Sequence, residues 1–357
     1  MAAEFPKYRV RSLQDIQLQD LKSMQDDKGN IITNIIDVLK EENEILQDIR
    51  FQTANKGTDR YWATSVISYP KSWWSRYNRG VPTSKGSYAS IEETCGRLET
   101  ASAIDARMAD EQDNARAFRY MQDKLHLAAL NRDMAEYLFY GDKSVAPEGF
   151  DGFASRYNTL NVNETVSKNV IDCGGKGKNL SSIYLINWSD GCFAFTPKGV
   201  PAGIQYRDGG RTTFFDENNY PFEKYVSYYS WSLGLCIPDW RSVVRLCNID
   251  VDQLMNGEGI GNPDMMGAGQ NLLLLMQRAI GLVSGARSLN NNSRIAFYMN
   301  NDVLSGLNGL SLRANSRNIR IQDGMDQYGT PANWGSFNGI PLRRVDRIKS
   351  VEEKVKA

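Results

Sequence analysis

One histidine, His126, stands in a chain of 357 residues. Histidine serves general-base, triad and metal chemistry near neutral pH, but each of these needs a second group at a matched spacing. His126 lies between Leu125 and Leu127 in a helical pattern without such a partner, so a structural role is expected. Cys173-Gly174-Gly175-Lys176-Gly177-Lys178 has the composition of a phosphate-cradling loop. Its glycine spacing is wrong for one, and Asn179 stands where Ser or Thr would bind magnesium, so an ordinary flexible loop is expected. Gly257-Glu258-Gly259-Ile260-Gly261 lacks the last interval of a dinucleotide fingerprint. Asp323 to Gly329 does not satisfy a calcium-loop pattern, and no G-x-S-x-G is present. Five cysteines, Cys95, Cys173, Cys192, Cys236 and Cys247, form an odd set with no C-x-x-C pair, which argues against a disulfide framework and a zinc site. They read as small buried residues in a reducing compartment. For carboxylate-dependent hydrolysis the candidates are Asp190, Asp208 and Asp239, although Asp239 beside Trp240-Arg241 better suits a structural ion pair. No catalytic residue, metal ligand or cofactor is assigned, and an enzyme is disfavoured.

The totals agree with this. Lys plus Arg and Asp plus Glu both number 42, so the balance does not mark a general nucleic-acid binder. From Ala286 onward 11 Lys/Arg face 6 Asp/Glu, including Arg313, Arg317 and Arg320, which reads first as a solvated basic face and second as a contact for an acidic partner surface or nucleic acid. The opening MAAEFPKYRV has no apolar core of a signal peptide, and the longest apolar run, Leu272 to Met276, is far too short to span a bilayer. A soluble protein made in the cytoplasm, with no membrane partner, is the expectation.

The elements are informative where the chemistry is not. Asn114 to Tyr140 places Phe118, Met121, Leu125, Ala128, Ala135 and Phe139 at three- and four-residue spacing, predicting one long helix that Asp113 or Asn114 caps and Gly141 ends. Leu127, Leu130, Met134 and Tyr137 add a second apolar face to its C-terminal half. On this reading Leu125 is a core residue and Leu125→Asp abolishes folding. Upstream, Ser12 caps a helix to about Met24. Ile31 to Ile49 then repeats Ile32, Ile35, Leu39, Leu46 and Ile49 in heptad spacing with Glu41, Glu44 and Asp48 outside it, an arm that needs a partner surface, either its own body or a neighbour's.

Between them, Tyr61 to Gly86 is aromatic and cationic. Tyr69, Trp73, Trp74, Arg76, Tyr77 and Arg79 exceed what one short hairpin can bury, and these are the residue types that anchor interfaces. The stretch reads either as an irregular flap whose rings pack on their own domain or, the favoured reading, as a projecting hairpin that lies on another subunit, and these residues are then the candidate subunit contacts, together with Ile35, Leu39, Leu46 and Ile49. The stretch Ile91 to Asp113 is ambiguous between strand and helix, and Lys143 to Asn158 is loop-like. Ser181 to Asp250 reads as an antiparallel sheet with turns at Ser189-Asp190-Gly191, Pro197-Lys198-Gly199 and Asp208-Gly209-Gly210. Asn262-Pro263-Asp264 starts a helix to about Ser284, whose Gly267, Gly269 and Gly281 suggest close neighbouring backbone. Arg294 to Met299 is a strand, Asn301 or Asp302 caps a helix to about Ala314, and strands follow at Asn318 to Gln322 and Gly339 to Ile348, a small α/β unit.

Arm, aromatic hairpin, one long helix, a long sheet and a small α/β unit are the parts of a capsid subunit. The chain resembles the podovirus-type major capsid family of tailed bacteriophages at Asp105 to Tyr140, at Ser189-Asp190-Gly191 through Pro197-Lys198-Gly199, at WSLGLCIPDWRSVVRLCNID (Trp231 to Asp250) and at FNGIPLRRVDRI (Phe337 to Ile348). The resemblance implies an α+β chain with the Hong Kong 97-like major capsid fold: N-arm 1–60, E-loop hairpin 61–100, P-domain 101–180 with its spine helix, strand-rich P-domain sheet 181–261, A-domain-like unit 262–348 and a tail 349–357. Because Tyr225 to Asp250 precedes the A-domain-like unit, it also implies a topologically permuted order. Its further implications are self-assembly into pentamers and hexamers of an icosahedral shell and procapsid maturation. The implied partners are a portal, a separate scaffold protein, a decoration or cement protein and non-specifically packaged double-stranded DNA. No covalent crosslinking pair is implied. A tail or sheath component is the nearest alternative.

Overall fold

The computed structural model describes residues 43–111, 115–216, 218–256, 272–283, 294–314, 319–325 and 331–356. The helix expected from Ser12, the heptad positions Ile32, Ile35 and Leu39, the caps Asp113 and Asn114, the Gly257 to Gly261 run and the start at Asn262 with Gly267 and Gly269 lie outside them.

In chain order the elements are α1 (Ile45–Asp48), β1 (Phe51–Thr53), β2 (Arg60–Ser68), β3 (Ser87–Thr94), β4 (Gly96–Asp105), α2 (Ala106–Asp110) and α3 (Ala115–Tyr140). Next come α4 (Phe153–Arg156), β5 (Val170–Asp172), β6 (Leu180–Trp188), β7 (Phe193–Thr196), β8 (Gln205–Phe215), β9 (Pro221–Cys236) and β10 (Val243–Asp250). The chain continues through α5 (Val251–Asn256), α6 (Leu272–Leu282), β11 (Arg294–Met299), α7 (Asn301–Ala314), β12 (Ile319–Met325), β13 (Pro331–Phe337) and β14 (Ile340–Arg344). Two compact units are present, one of residues 98–130 and 204–231, the other of 41–97, 131–203 and 232–357 together.

The predicted long helix is α3, whose 26 residues make it roughly 40 Å long. Gly141 follows its last residue, as expected, and a Cβ there would run into the carbonyls of Phe150 and Tyr137, so only glycine fits. Its buried line keeps Phe118, Ala135 and Phe139 of the expected face and Leu130 and Met134 of the second, and takes in Gln122, Asp123 and Leu138, whereas Leu125 is 56% exposed and Ala128 is also exposed. At about 100° per residue, each four-residue step advances about 40°, so the buried line winds around the helix between its two ends. Leu125 falls off that line and is not a core residue.

In the first unit, β8 and β9 form a long antiparallel hairpin running from Gln205↔Ser230 to Phe215↔Pro221. Gly210 takes φ +64° at a bulge after Asp208, a backbone conformation that glycine adopts without strain. Ile104, Ala109 and Phe118 form a small core, with Met108, Met121 and Tyr225 against it.

The second unit holds a seven-stranded mixed sheet in the order β12-β13-β14-β11-β6-β10-β5. Strand β6 is buried along its whole length, as a strand covered on both faces must be. Ile183 and Leu185 join Leu254, Leu275, Met276, Val303 and Leu307 of α5, α6 and α7. Alternation turns Tyr184 and Trp188 the other way, onto Phe139 and Phe153. The strands of 181–250 are therefore not one antiparallel sheet. β6 pairs with β11 of the expected α/β unit and carries β10 on its other side, while β7 and β9 join β1 and β4 in a second sheet, with β8 on β9. That division also differs from the one on which the permuted order was inferred. Parallel pairs β1–β7, β5–β10 and β11–β14 link segments remote in sequence. Strand β11 and helix α7 occupy their expected ranges, though the cap of α7 is Asn300, whose Oδ1 accepts from Asp302 N at 3.1 Å. Around Gly281 a Cβ would meet open space, so no close backbone approach explains it.

Candidate assembly surface

The aromatic, cationic stretch is the end of a hairpin. β2 and β3 pair antiparallel from Arg60↔Thr94 to Ser68↔Ser87, with a bulge near the far end. Residues 69–86 connect them, and from Tyr69 to Lys85 every residue is exposed. Trp74 and Tyr77 are fully exposed, Tyr69 nearly so, and Trp73 is 42% exposed. Arg76 and Arg79 are exposed as well. Local bonds shape the end: Arg79 N donates to Arg76 O, Asn78 adopts a positive φ, and Ser84 Oγ donates to Lys71 O.

The hairpin is rooted through two adjacent glutamates that alternation sends to opposite faces. Glu92 receives Lys56 Nζ and Arg60 Nη1, both at 3.0 Å. Those bonds, the one from Lys56 first, hold its carboxyl below the usual range. Glu93 is buried and accepts from Arg156 Nη1 at 2.6 Å and Lys143 Nζ at 3.2 Å. Arg156 also donates to the carbonyls of Asp151 and Leu235. A buried carboxylate with two cationic donors is satisfied, so the stem is stiff at its root while its end projects.

At the base of the arm the partner surface is the chain's own body, one of the two that the heptad spacing left open. Ile45 and Ile49 are buried within their own chain, Leu46 is half-buried, and Ile35 and Leu39 lie outside the described residues. Asp48, expected on the outer side, is buried instead, with Arg343 Nε at 3.0 Å and Tyr298 Oη at 3.0 Å as donors. Trp188 Nε1 donates in turn to Tyr298 Oη. Ile49 thus anchors the arm's base rather than offering a surface.

The reactive-looking residues are engaged structurally. His126 Nδ1 lies 2.8 Å from Thr100 Oγ1. In the Cys173 to Lys178 loop the amides a phosphate would need are already taken: Gly175 N donates to Asn248 O and Gly177 N to Asp250 Oδ2, both at 2.9 Å. Asp190 pairs with Arg50 at 2.9 Å, Asp208 with Arg119 at 3.1 Å, and Asp239 with Arg241 at 2.9 Å, the last as expected. All five cysteines are free, with Cys192, Cys236 and Cys247 buried. Among the described residues no cluster of potential metal ligands occurs, and no helix is long and apolar enough to cross a membrane.

Sequence reasoning missed the end of the β8–β9 hairpin, where Phe215 and Tyr220 are exposed. Its signal was present in FFDENNYPF, a turn-forming run between aromatic residues.

A chain of bacteriophage Epsilon15 shares this architecture, with a TM-score of 0.73 and 25% identity, over 98% of this chain and 99% of that one. Lower scores relate it to the capsid of bacteriophage JBD30 (TM-score 0.48, 11% identity, 88% and 96% covered) and that of a native GTA particle (0.46, 10%, 61% and 94%). No match is found among the curated proteins. The fold is α+β and Hong Kong 97-like, that of proteins which build phage capsids. The sequence model described as Major capsid protein GP7 matches residues 26–356, and the chain belongs to that family. Its role is structural, as a self-assembling subunit of a bacteriophage capsid in the virion.

Proposed function

We propose that copies of this chain form the pentamers and hexamers of an icosahedral shell around double-stranded DNA, with residues 61–100 acting as an E-loop that lies across an adjacent copy. The observation that carries the reading is the set of exposed rings and guanidinium groups at the end of a stiffly rooted hairpin. Monomers rarely leave such a patch without a partner. Contacts of one hairpin with the next copy are heterologous and close into rings, and several contacts per copy add avidity. Residues 1–60 act as the N-arm, α3 as the spine of the P-domain, and 262–348 as the A-domain-like part.

On this reading the chain catalyses no reaction. Its further partners are a portal, a separate scaffold protein and a decoration or cement protein, with packaged DNA held non-specifically on the inner surface. Assembly takes place in the cytoplasm of the host bacterium. Electron microscopy of the purified protein, made alone and with neighbouring open reading frames, tests this: closed shells or rings of five and six support it, and tubes favour a tail component. Trp73→Ala with Trp74→Ala is expected to leave a folded subunit that assembles poorly. Normal shells from that variant would remove the hairpin from the interface.

A further inference from the structure

One oxygen of a buried carboxylate in the first unit has no hydrogen-bond partner among the described residues. It is Oδ1 of Asp123 on α3, a residue only 6% exposed. The other oxygen, Oδ2, accepts from Ser227 Oγ of β9 at 3.4 Å. The buried phenol of Tyr229 also meets this carboxylate, and burial first, then Asp123, pushes it above its ordinary range. A carboxylate held in the interior without full pairing is unfavourable, and a cation that reached it would offset part of that penalty.

A guanidinium stands one hydroxyl away. Arg119 Nη2 donates to Ser227 Oγ at 3.4 Å, so Arg119, Ser227 and Asp123 form a chain of two long hydrogen bonds. The same nitrogen donates to Asp208 Oδ1 at 3.1 Å. Asp208 stands at the bulge of β8 with its side chain half exposed, and its Oδ1 also accepts from Gly210 N at 2.9 Å. An ion pair open to water on one side is screened and weak, and Asp208 keeps its backbone donor if Arg119 leaves. Arg119 and Asp123 are four residues apart on one helix, the spacing at which side chains meet. The Tyr225 ring, 4.7 Å from the guanidinium carbon, offers an aromatic surface over which the group can turn.

We infer that Arg119 is a latch with two positions. On Asp208 it ties the bulge of β8 to α3. On Asp123 it neutralises the buried carboxylate, releases the bulge and leaves Asp208 to water. The exchange trades a screened ion pair for a buried one, so the β8–β9 hairpin can shift against the helix without stranding a charge in the interior. Resting on the reading of pentamers and hexamers, this lets one chain fit two kinds of ring through a single side chain.

Urea unfolding of the dispersed subunit, with Arg119→Gln, Asp123→Asn and Asp208→Asn made singly and in combination, measures the coupling of Arg119 to each carboxylate. Asp208→Asn alone is expected to change the unfolding equilibrium constant by less than about threefold, because Arg119 moves to Asp123. Arg119→Gln takes the cation from both and is expected to raise that constant by about tenfold or more. Coupling of Arg119 to Asp123 is expected to be at least about threefold stronger in the Asp208→Asn background than in the parent. Equal coupling in the two backgrounds describes a fixed network and overturns the latch. Electron cryomicroscopy of shells built from Asp208→Asn gives an answer that does not depend on the Arg119 variant folding. There the guanidinium is expected within hydrogen-bond distance of Asp123, and a guanidinium still beside residue 208 overturns the inference. In parent shells Arg119 is expected on Asp123 in the copies of one ring type and on Asp208 in the other, and a single position in all copies overturns its role in fitting rings. The unfolding cycle is read on dispersed subunits, so its failure strikes the latch alone, whereas tubes in place of shells strike the ring reading alone.

Discussion

The hydroxyl of Tyr140, the last residue of α3, donates to the carboxylate of Glu352, and Lys349 N donates back to the Tyr140 oxygen at 2.9 Å. Burial pushes the phenol far above its ordinary range, so its proton stays on the oxygen. The other Glu352 oxygen receives Ser182 Oγ and, at 2.8 Å, Arg245 Nη2. The C-terminal segment thus straps the end of the long helix to strands β6 and β10.

Arg245 and Glu352 are both buried, so Glu352→Ala leaves a guanidinium charge without its partner. The expected loss is about 3–5 kcal/mol. Tyr140→Phe removes one hydrogen bond to a charged acceptor and is expected to cost about 1.5–3 kcal/mol. Urea unfolding of the dispersed subunit measures both, and equal losses would contradict the ion pair as the main constraint.

Leu125→Asp is expected to fold, with stability within about 0.5 kcal/mol of the parent, because Leu125 lies off the buried line of α3. Leu138→Ala, at a fully buried position of the same helix, is expected to lose about 2–5 kcal/mol. Circular dichroism melts of the two variants separate these outcomes.

Acid is expected to loosen the hairpin root. Lys56 and Arg60 lower the folded-state pKa of Glu92 below its model-compound value of 4.5. A depressed carboxylate contributes stability that is present above its unfolded pKa and is lost as pH falls through the folded one. Amide exchange in β2 and β3 should therefore rise below about pH 4.5. Glu92→Gln should flatten that response, and an unchanged profile in this variant would assign the acid sensitivity elsewhere.

Burial pushes the thiols of Cys95, Cys236 and Cys247 up to about 12 and raises those of Cys173 and Cys192 as well. Thiolate is the reactive form. A disulfide exchange reagent at pH 8 is expected to modify the folded subunit slowly and all five cysteines after denaturation. Rapid labelling of the native protein would contradict this.

Features set by neighbours in the chain were legible. The range of α3, the strand Arg294–Met299, the helix to Ala314 and the exposed rings at Trp73 and Trp74 follow from periodicity, turn residues and an excess of aromatics. The pair Asp239 and Arg241, two residues apart, was equally visible. β13 was not, because Pro331 to Phe337 carries no clear alternation and is held by its neighbours β12 and β14.

The sequence by itself determined the helix, the projecting aromatic end and the family resemblance, since spacing along the chain encodes each of them. Only the tertiary structure decided that β6 and β10 leave β7 and β9 for another sheet, because strand pairing is chosen by whole faces competing for burial. It also decided that Asp48, Glu93 and Arg245 are buried, with the Glu352 side chain against Arg245, while Leu125 is exposed. A charge enters the interior where a distant partner meets it, and Asp48 meets Arg343 across 295 residues of chain.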